Sequence, residues 1–344
     1  MIIFDLQPRA ALHVGEFIGI EREAVLDHVP SDSLFSACVM AWQRAGVDVG
    51  ARIAQCQTDP GALWLTSAFP RVGAVRLYPF PMGISPVVGR GQSEMEGKRL
   101  RRVRWVSESL FQKLVAGRSV GDESDPAKNF AQGGAVWLAQ SELAQLSASL
   151  GDSNGDVRLW KTQIVPRVTV DRAANVSNLF HSGRLVFAPG CGLWGMAQGA
   201  GAGWIVEGLN ALQDEGVGGL RSVGHGAFTL ATRVAPDVTM PDRGYGVLLS
   251  RYAPAGEAEI VAALQAPRSA YSLVTVGGWC QDDNGKPWRR KTVRLVAAGA
   301  CIGLPATGHL VAVTPEKVMS RPVYRFGRAF VLPVAEGALT GHEQ

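Results

Sequence analysis

The 344-residue sequence has a formal charge of only +4, with 47% hydrophobic and 19% charged residues. That balance supports packed cores and excludes both a disordered polymer and a histone-like basic protein. The five cysteines (Cys38, Cys56, Cys191, Cys280 and Cys301) are scattered and form no CxxC pair, so no disulfide framework or zinc site is expected.

Residues 1–11 lack a basic start followed by an apolar core, and no apolar run approaches about 18 residues. The expectation is a cytoplasmic protein without membrane contact. Residues 1–14 alternate through Ile3, Leu6, Leu12 and Val14 and read as a first strand interrupted at Pro8. Pro30, Ser31, Asp32 and Ser33 precede the periodic apolar run Leu34, Phe35, Cys38, Val39 and Trp42. The Ser and Asp oxygens can accept from free N–H groups of a first turn, which predicts a helix that fades near Gly46.

Residues 63–69 and 75–78 flank a turn-like segment at 70–73 and predict a hairpin. A Pro-, Gly- and Ser-rich break at 79–97 is followed by Lys98, Arg99, Arg101, Arg102 and Arg104, five basic residues in seven positions. Such a run is either a solvated strand face or a contact to RNA or a partner. A helix is predicted over 109–115 and an irregular loop over 117–134. Residues 161–170 and 183–187 predict two strands joined by a polar turn segment at 171–178.

A strand at 193–197 and a short helix at 203–212 lead into a glycine-dense loop at 216–226 and a strand at 227–231. Beyond a linker at 236–241, strands are predicted over 245–251, 272–278, 288–296, 309–313 and 323–332. A helix at 257–264 separates the first two. Arg289, Arg290 and Lys291, with Arg294, form a second basic stretch. The recurring strand–helix–strand–strand order predicts an α+β protein with two α+β sandwich domains, residues 1–233 and 234–344.

The most specific segment is the loop at 216–226, with five glycines in eleven residues between a helix and a strand. Such a loop exposes backbone N–H groups where side chains would otherwise block an anion, and Arg221 and Ser222 add a guanidinium and a hydroxyl. The Gly-Lys-Ser/Thr ending of a phosphate-binding P-loop is absent, and the glycines precede a strand where a dinucleotide fingerprint would open a helix. A tight structural turn is the competing reading.

Gly218 through Gly226 resembles the glycine-rich loop of the RAMP superfamily of CRISPR proteins. Three further segments resemble the handle-binding subunit of type III-A (Csm) complexes. They are His13–Glu16 leading to Ser31–Ala37; Arg167–Arg172 followed by Ser177–Phe180; and Pro322–Phe330. The basic stretch at 98–104 also sits where that subunit carries one. The resemblance covers most of the chain in the same order. Ala173, Ala174 and Asn175 depart from it, replacing a glycine-containing turn, and a relative from a type III-D complex is the alternative assignment.

The resemblance implies two ferredoxin-like, RNA-recognition-motif-like domains with a thumb-like β-hairpin, and a non-catalytic subunit that grips the 5′ handle of the guide RNA. Its partners would be the large polymerase-domain subunit and a backbone RAMP subunit, with target RNA engaged indirectly. Gly218, Gly219, Arg221, Ser222, Gly224 and His225 would wrap handle phosphates. Ser31, Asp32 and Ser33 would offer a helix N-terminus to phosphate or base edges, with plain capping as their alternative. His13, Lys98, Arg99, Arg101, Arg102, Arg167 and Arg172 complete the expected RNA-binding set, and Leu179 and Phe180 suit a wedge between nucleotides.

Some relatives in that superfamily cut RNA with a histidine near the N-terminus, which singles out His13. Acid–base cleavage needs a second group within reach to serve the leaving oxygen, and no Lys or Tyr partner is evident. No Ser-His-Asp order or metal-ligand spacing is present, so the expectation is a non-enzyme without cofactor or metal. A guide-processing endoribonuclease of the same superfamily is the alternative. A small-molecule enzyme using the glycine loop for a phosphorylated ligand lacks a supporting acid/base constellation.

Overall fold

The computed structural model describes residues 1–17, 23–86, 99–121, 129–150, 157–171, 176–282, 284–315 and 321–339. Lys98 and Arg172, both expected to contact RNA, lie outside the described residues, as do Ala173, Ala174 and Asn175.

In the first part of the chain, strand β1 (Ile2–Pro8) leads to the short pair β2 (Gly15–Phe17) and β3 (Glu23–Val25). Helices α1 (Ser31–Arg44) and α2 (Val49–Thr58) follow. Next come β4 (Trp64–Leu65), β5 (Phe69–Val72), β6 (Val75–Pro79) and β7 (Trp105–Ser107), then helix α3 (Glu108–Val115). Strands β8 (Phe130–Ala131) and β9 (Val136–Trp137) precede helix α4 (Gln140–Leu150). A long hairpin, β10 (Trp160–Asp171) and β11 (Val176–Phe187), runs into β12 (Cys191–Gln198), helix α5 (Ala202–Ala211) and β13 (Phe228–Val234).

Apart from the separate pairs β2–β3 and β10–β11, these strands build a sheet in the order β13-β1-β12-β5-β6-β7-β9-β8, with β4 also on β12. Strand β1 is antiparallel to both neighbours, with Phe4 opposite Gly195 on one side and Thr232 on the other. Helix α1 forms because Leu34, Phe35, Cys38, Ala41 and Trp42 recur at helical spacing and bury one stripe. That stripe packs on α5, where a Cβ at Gly208 would stand 2.8 Å from the Cys38 Cβ. Trp42 closes the contact by donating its Nε1–H to the Trp204 carbonyl over 2.8 Å.

The second part contains β14 (Tyr245–Leu248), helix α6 (Glu257–Leu264), β15 (Leu273–Val276), β16 (Trp279–Gln281) and β17 (Pro287–Arg289). Strands β18 (Val293–Val296), β19 (Cys301–Gly303), β20 (Gly308–Ala312), β21 (Tyr324–Arg328) and β22 (Val331–Val334) follow. The order β22-β14-β19 repeats the order β13-β1-β12 of the first sheet.

Backbone and core bind the two parts closely. The Ser67 N–H donates to the Leu249 carbonyl at 2.8 Å, Ala335 N–H to Val115 at 2.8 Å, and Phe35 stacks on Phe326 with centroids 4.8 Å apart. One apolar cluster contains Phe4, Phe35 and Trp194 together with Val247, Phe326 and Phe330.

Several elements depart from the sequence expectation. The N-cap of α1 is Pro30, and neither Ser31 nor Asp32 caps it. The expected first arm at 63–69 is displaced: β5 begins at Phe69, and β4 is a separate piece on β12. The single strands expected over 288–296 and 323–332 are each split in two. Helices α2 and α4 and strands β8, β9, β16 and β19 were not anticipated. Among the described residues no helix is long and apolar enough to cross a membrane, and no group of three or more His, Cys, Asp or Glu is placed to hold a metal ion.

Candidate nucleic-acid interface

The glycine loop follows α5 and lies against the segment that leaves β1. Its lower part is built by backbone. Val217 N–H donates to Gly226 at 3.1 Å, Gly226 N–H to Ala11 at 2.8 Å, and Gly219 N–H to His13 at 2.7 Å. Gly218 and Gly226 have φ of +87° and +83°, and a Cβ there would come within 2.4 Å of the His13 oxygen and 2.1 Å of the Val217 oxygen. Those two glycines are therefore demanded by the fold itself. Gly219 lacks a positive φ; a Cβ there would stand 2.8 Å from the His13 ring.

Above this base, Gly218, Ser222, Val223 and Gly224 are exposed, and Leu220 holds a left-handed φ of +57°. Hydrogen bonds within the loop use the N–H groups of Val223, Gly224 and His225. Arg221 is half-buried, with Nη1 3.8 Å from the Glu215 carboxylate, which also pairs with Arg44. Its charge is thus partly balanced from behind.

His13 joins this loop to the long hairpin. Its Nδ1 lies 2.6 Å from the Gly183 carbonyl oxygen; that oxygen can only accept, so Nδ1 carries the proton. Leu12 and Leu185 exchange backbone hydrogen bonds of 2.8 and 2.7 Å beside it, which fixes the hairpin's base.

The hairpin register sorts its side chains onto two faces. Gln163 opposes Arg184 and Arg167 opposes Phe180, which puts Arg167 and Arg184 on one face. On the other face Ile164, Val168 and Leu179 are 72%, 56% and 61% exposed, an apolar row open to solvent.

The arginine face looks onto His225. That imidazole is buried, and its Nε2 is enclosed without a hydrogen-bond partner. Burial first, and then the charges of Arg167, Arg184 and His13, hold its pKa below the usual histidine range against an opposing backbone bond to Val223. Among the described residues the side-chain charges that bear on it most are all cationic. The Arg167 Nε is likewise buried without a partner. Two guanidiniums and a second imidazole acting on one buried ring, with no carboxylate among the described charges that bear on it most, give surroundings suited to an oxyanion.

The α1 start does something different from the sequence expectation. Ser31 N–H donates to the Ser67 Oγ at 3.0 Å, and its Oγ accepts from the Arg251 N–H at 2.9 Å. Asp32 is fully buried between Arg251 (Oδ1 to Nη1, 3.3 Å) and Arg325 (Oδ2 to Nη1, 3.0 Å). Both residues are spent tying α1 to the second part of the chain and offer nothing to RNA. Ser33 remains half-buried beside them.

Arg99, Arg101 and Arg102 are exposed just before β7. With strands spaced by about 4.8 Å, β7 lies four intervals, or about 19 Å, from β1, so this basic run does not share the glycine-loop site.

The sequence reading missed Arg184 and a cleft of about 330 Å³ lined by His28, Phe69, Phe80, Arg104, Trp105 and Arg251. There Asp27 lies 3.4 Å from His28 Nδ1, accepts from Trp105 Nε1 at 3.1 Å and pairs with Arg104. Burial pushes the Asp27 pKa up, but the His28 contact, Arg104 and the Trp105 bond together hold it below the usual carboxylate range.

Residues 242–334 match the family model of the CRISPR Csm4 C-terminal domain. Two curated relatives named CRISPR system Cms protein Csm4, from two strains of Mycobacterium tuberculosis, are 26% identical over 336 residues, covering 95% of this chain and 95% of theirs. The fold is similar to a crystal structure of a Csm3–Csm4 subcomplex of the type III-A interference complex. That match has a TM-score of 0.66 and 16% identity, and covers 97% of this chain and all of the other. A Csm1–Csm4 cassette in complex with pppApA gives a TM-score of 0.57 at 17% identity, covering 97% of each chain.

Proposed function

We propose that this chain, a member of the Csm4 family of type III-A CRISPR subunits, is the non-catalytic subunit that holds the 5′ handle of the guide RNA and anchors the large polymerase-domain subunit to the backbone. The observation that carries this reading is the cationic environment between the hairpin and the glycine loop, where a buried imidazole has an unpartnered Nε2 and the described charges that bear on it most are all positive.

Handle phosphates would bridge Arg167, Arg184 and His225, while Ser222 and Gly224 line the exposed rim. Ile164, Val168 and Leu179 would press between nucleotides, which makes the hairpin thumb-like. Residues 1–233 and 234–344 would be two ferredoxin-like units; the repeated strand order supports that division, with α1 and α5 lying between the strands of the first. Partners of the Csm1 and Csm3 kind are consistent with the complexes in which the structural relatives were solved.

The absence of catalysis is part of the proposal. His13 is buried, and its ring proton is committed to the Gly183 carbonyl. His28 has an orienting carboxylate in Asp27, so both histidines are tested. Complexes carrying His13→Ala or His28→Ala should process guide RNA at the wild-type rate per assembled complex. A large drop in that normalised rate with guide still bound would show an endoribonuclease. In the same complexes, crosslinks from the handle should land on residues 163–184 and 216–225; crosslinks confined to 245–344 would overturn the placement.

The site also predicts a pH dependence. Free His225 is held neutral near pH 7, because its pKa lies below the ordinary value of about 6.5. A phosphate beside it favours the imidazolium and raises that pKa, so binding takes up a proton. Handle affinity should therefore rise as pH falls from 7.5 to 5.5. Titrations of His225→Gln should show a clearly flatter profile; an unchanged profile would remove His225 from the site.

A further inference from the structure

We propose that the β16–β17 ribbon, with the outer faces of β15 and β18, forms a second, sequence-tolerant binding surface for single-stranded RNA. This surface is built independently of the hairpin and glycine loop, and the proposal does not rest on the handle reading.

Trp279 is 60% exposed at the head of β16, an unusual position for the largest apolar side chain. Its cross-strand partner is Arg289, whose guanidinium carbon lies 5.2 Å from the indole centroid. The cation covers one ring face and orients the indole; at 60% exposure the other face stays open to a base. Tyr271 and Leu273, 40% and 51% exposed, continue the apolar surface along β15.

The charge around these rings is one-sided. Residues 271–296 contain Lys286, Arg289, Arg290, Lys291 and Arg294 against Asp282 and Asp283. Asp282 is occupied in building the turn: it accepts from the N–H groups of Asn284 and Lys286, each at 2.9 Å, and from Trp288 Nε1 at 3.0 Å. Lys286 in turn sits 4.5 Å from the Trp288 ring centroid. Among the described residues neither Arg289 nor Arg294 forms an ion pair, and both are exposed. Arg294 opposes exposed Thr275 on the paired strand. Burial, then the Arg325 charge, brings the Arg290 pKa down to about 10, so it too is cationic at neutral pH.

Interleaved open aromatic faces and unpaired guanidiniums are the chemistry that holds a single strand, because every base offers a π-face and every nucleotide a phosphate. An acidic protein surface would use the cations but not the open indole face as a stacking platform. Stacking on Trp279 and phosphate contacts to Arg289 and Arg294 read no base edge, which argues for tolerance of sequence.

The test uses the full-length chain and a uridine 15-mer carrying 4-thiouridine, which lacks any handle sequence. Irradiation should give crosslinks within residues 271–296. Trp279→Ala should lower affinity about fivefold to a hundredfold, Trp279→Phe should recover part of the loss, and Arg289→Ala with Arg294→Ala should flatten the salt dependence. In the Arg167→Ala, Arg184→Ala double variant the crosslinks within residues 271–296 should persist, which separates this surface from the handle site. Crosslinks only on the hairpin and glycine loop would overturn the proposal. So would a Trp279→Ala protein that binds the 15-mer normally but fails to join its partner subunits, which would mark the ribbon as a protein contact.

Discussion

Asp32→Ala should lower the free energy of unfolding by about 3–5 kcal/mol, the range for removing one partner of a buried ion pair. Asp32 is fully buried at the start of α1, and its carboxylate lies between the Arg251 and Arg325 guanidiniums. Alanine leaves two cations facing each other where water screens them poorly, although the Gly277 carbonyl still accepts from Arg325 at 2.9 Å. The measurement is urea denaturation, with a lower midpoint at nearly unchanged slope. The loss should persist at high salt, because the cluster is shielded from mobile ions. Replacing all three charged residues with well-packed apolar ones should recover much of the stability, since desolvation offsets much of the attraction in such triads. A loss under about 1 kcal/mol for Asp32→Ala would mean that the triad does not join the two parts of the chain.

That triad also shows where reading the sequence stopped. The apolar stripe of α1 was legible because Leu34, Phe35, Cys38 and Trp42 announce a helix locally. The use of Asp32 was not, since its partners lie 219 and 293 residues away. Ser31 and Asp32 therefore looked like caps, although Pro30 already takes that position. Helix α2 escaped notice because it buries little beyond Cys56 and shows no apolar stripe.

The hairpin failed for another reason. None of residues 161–168, 177, 179 and 181 is buried, so no alternation marks the strand, and the polar stretch after Asp171 reads as turn even though β11 begins at Val176. Without the register, Arg184 could not be placed on the same face as Arg167. The glycine loop was legible as a special backbone segment, yet Gly218 and Gly226 turn out to serve close packing on His13 and Val217. Tight turning occupies the base of the loop, which leaves its exposed rim to the anion contact proposed above.

The double change Arg167→Ala, Arg184→Ala should weaken handle binding by about a hundredfold or more. Each guanidinium would lose a charge-assisted hydrogen bond to phosphate, which contributes roughly 1.5–3 kcal/mol. Neither arginine forms an ion pair among the described residues, and the hydrogen bond from Arg184 to Gln163 at 2.9 Å is exposed. Folding should therefore survive, and the unfolding midpoint should move little. Removing two phosphate contacts from a single strand should also shift the slope of log affinity against log salt by about 1.4, at roughly 0.7 per contact.

An internal reporter separates this from indirect damage. Both cations depress the His225 pKa, so in the double variant it should climb back toward the ordinary value, as seen by NMR titration of the free protein. A recovered pKa with unchanged handle affinity and salt slope would show that the cations surround His225 without touching RNA, and the site between hairpin and glycine loop would lose its assignment.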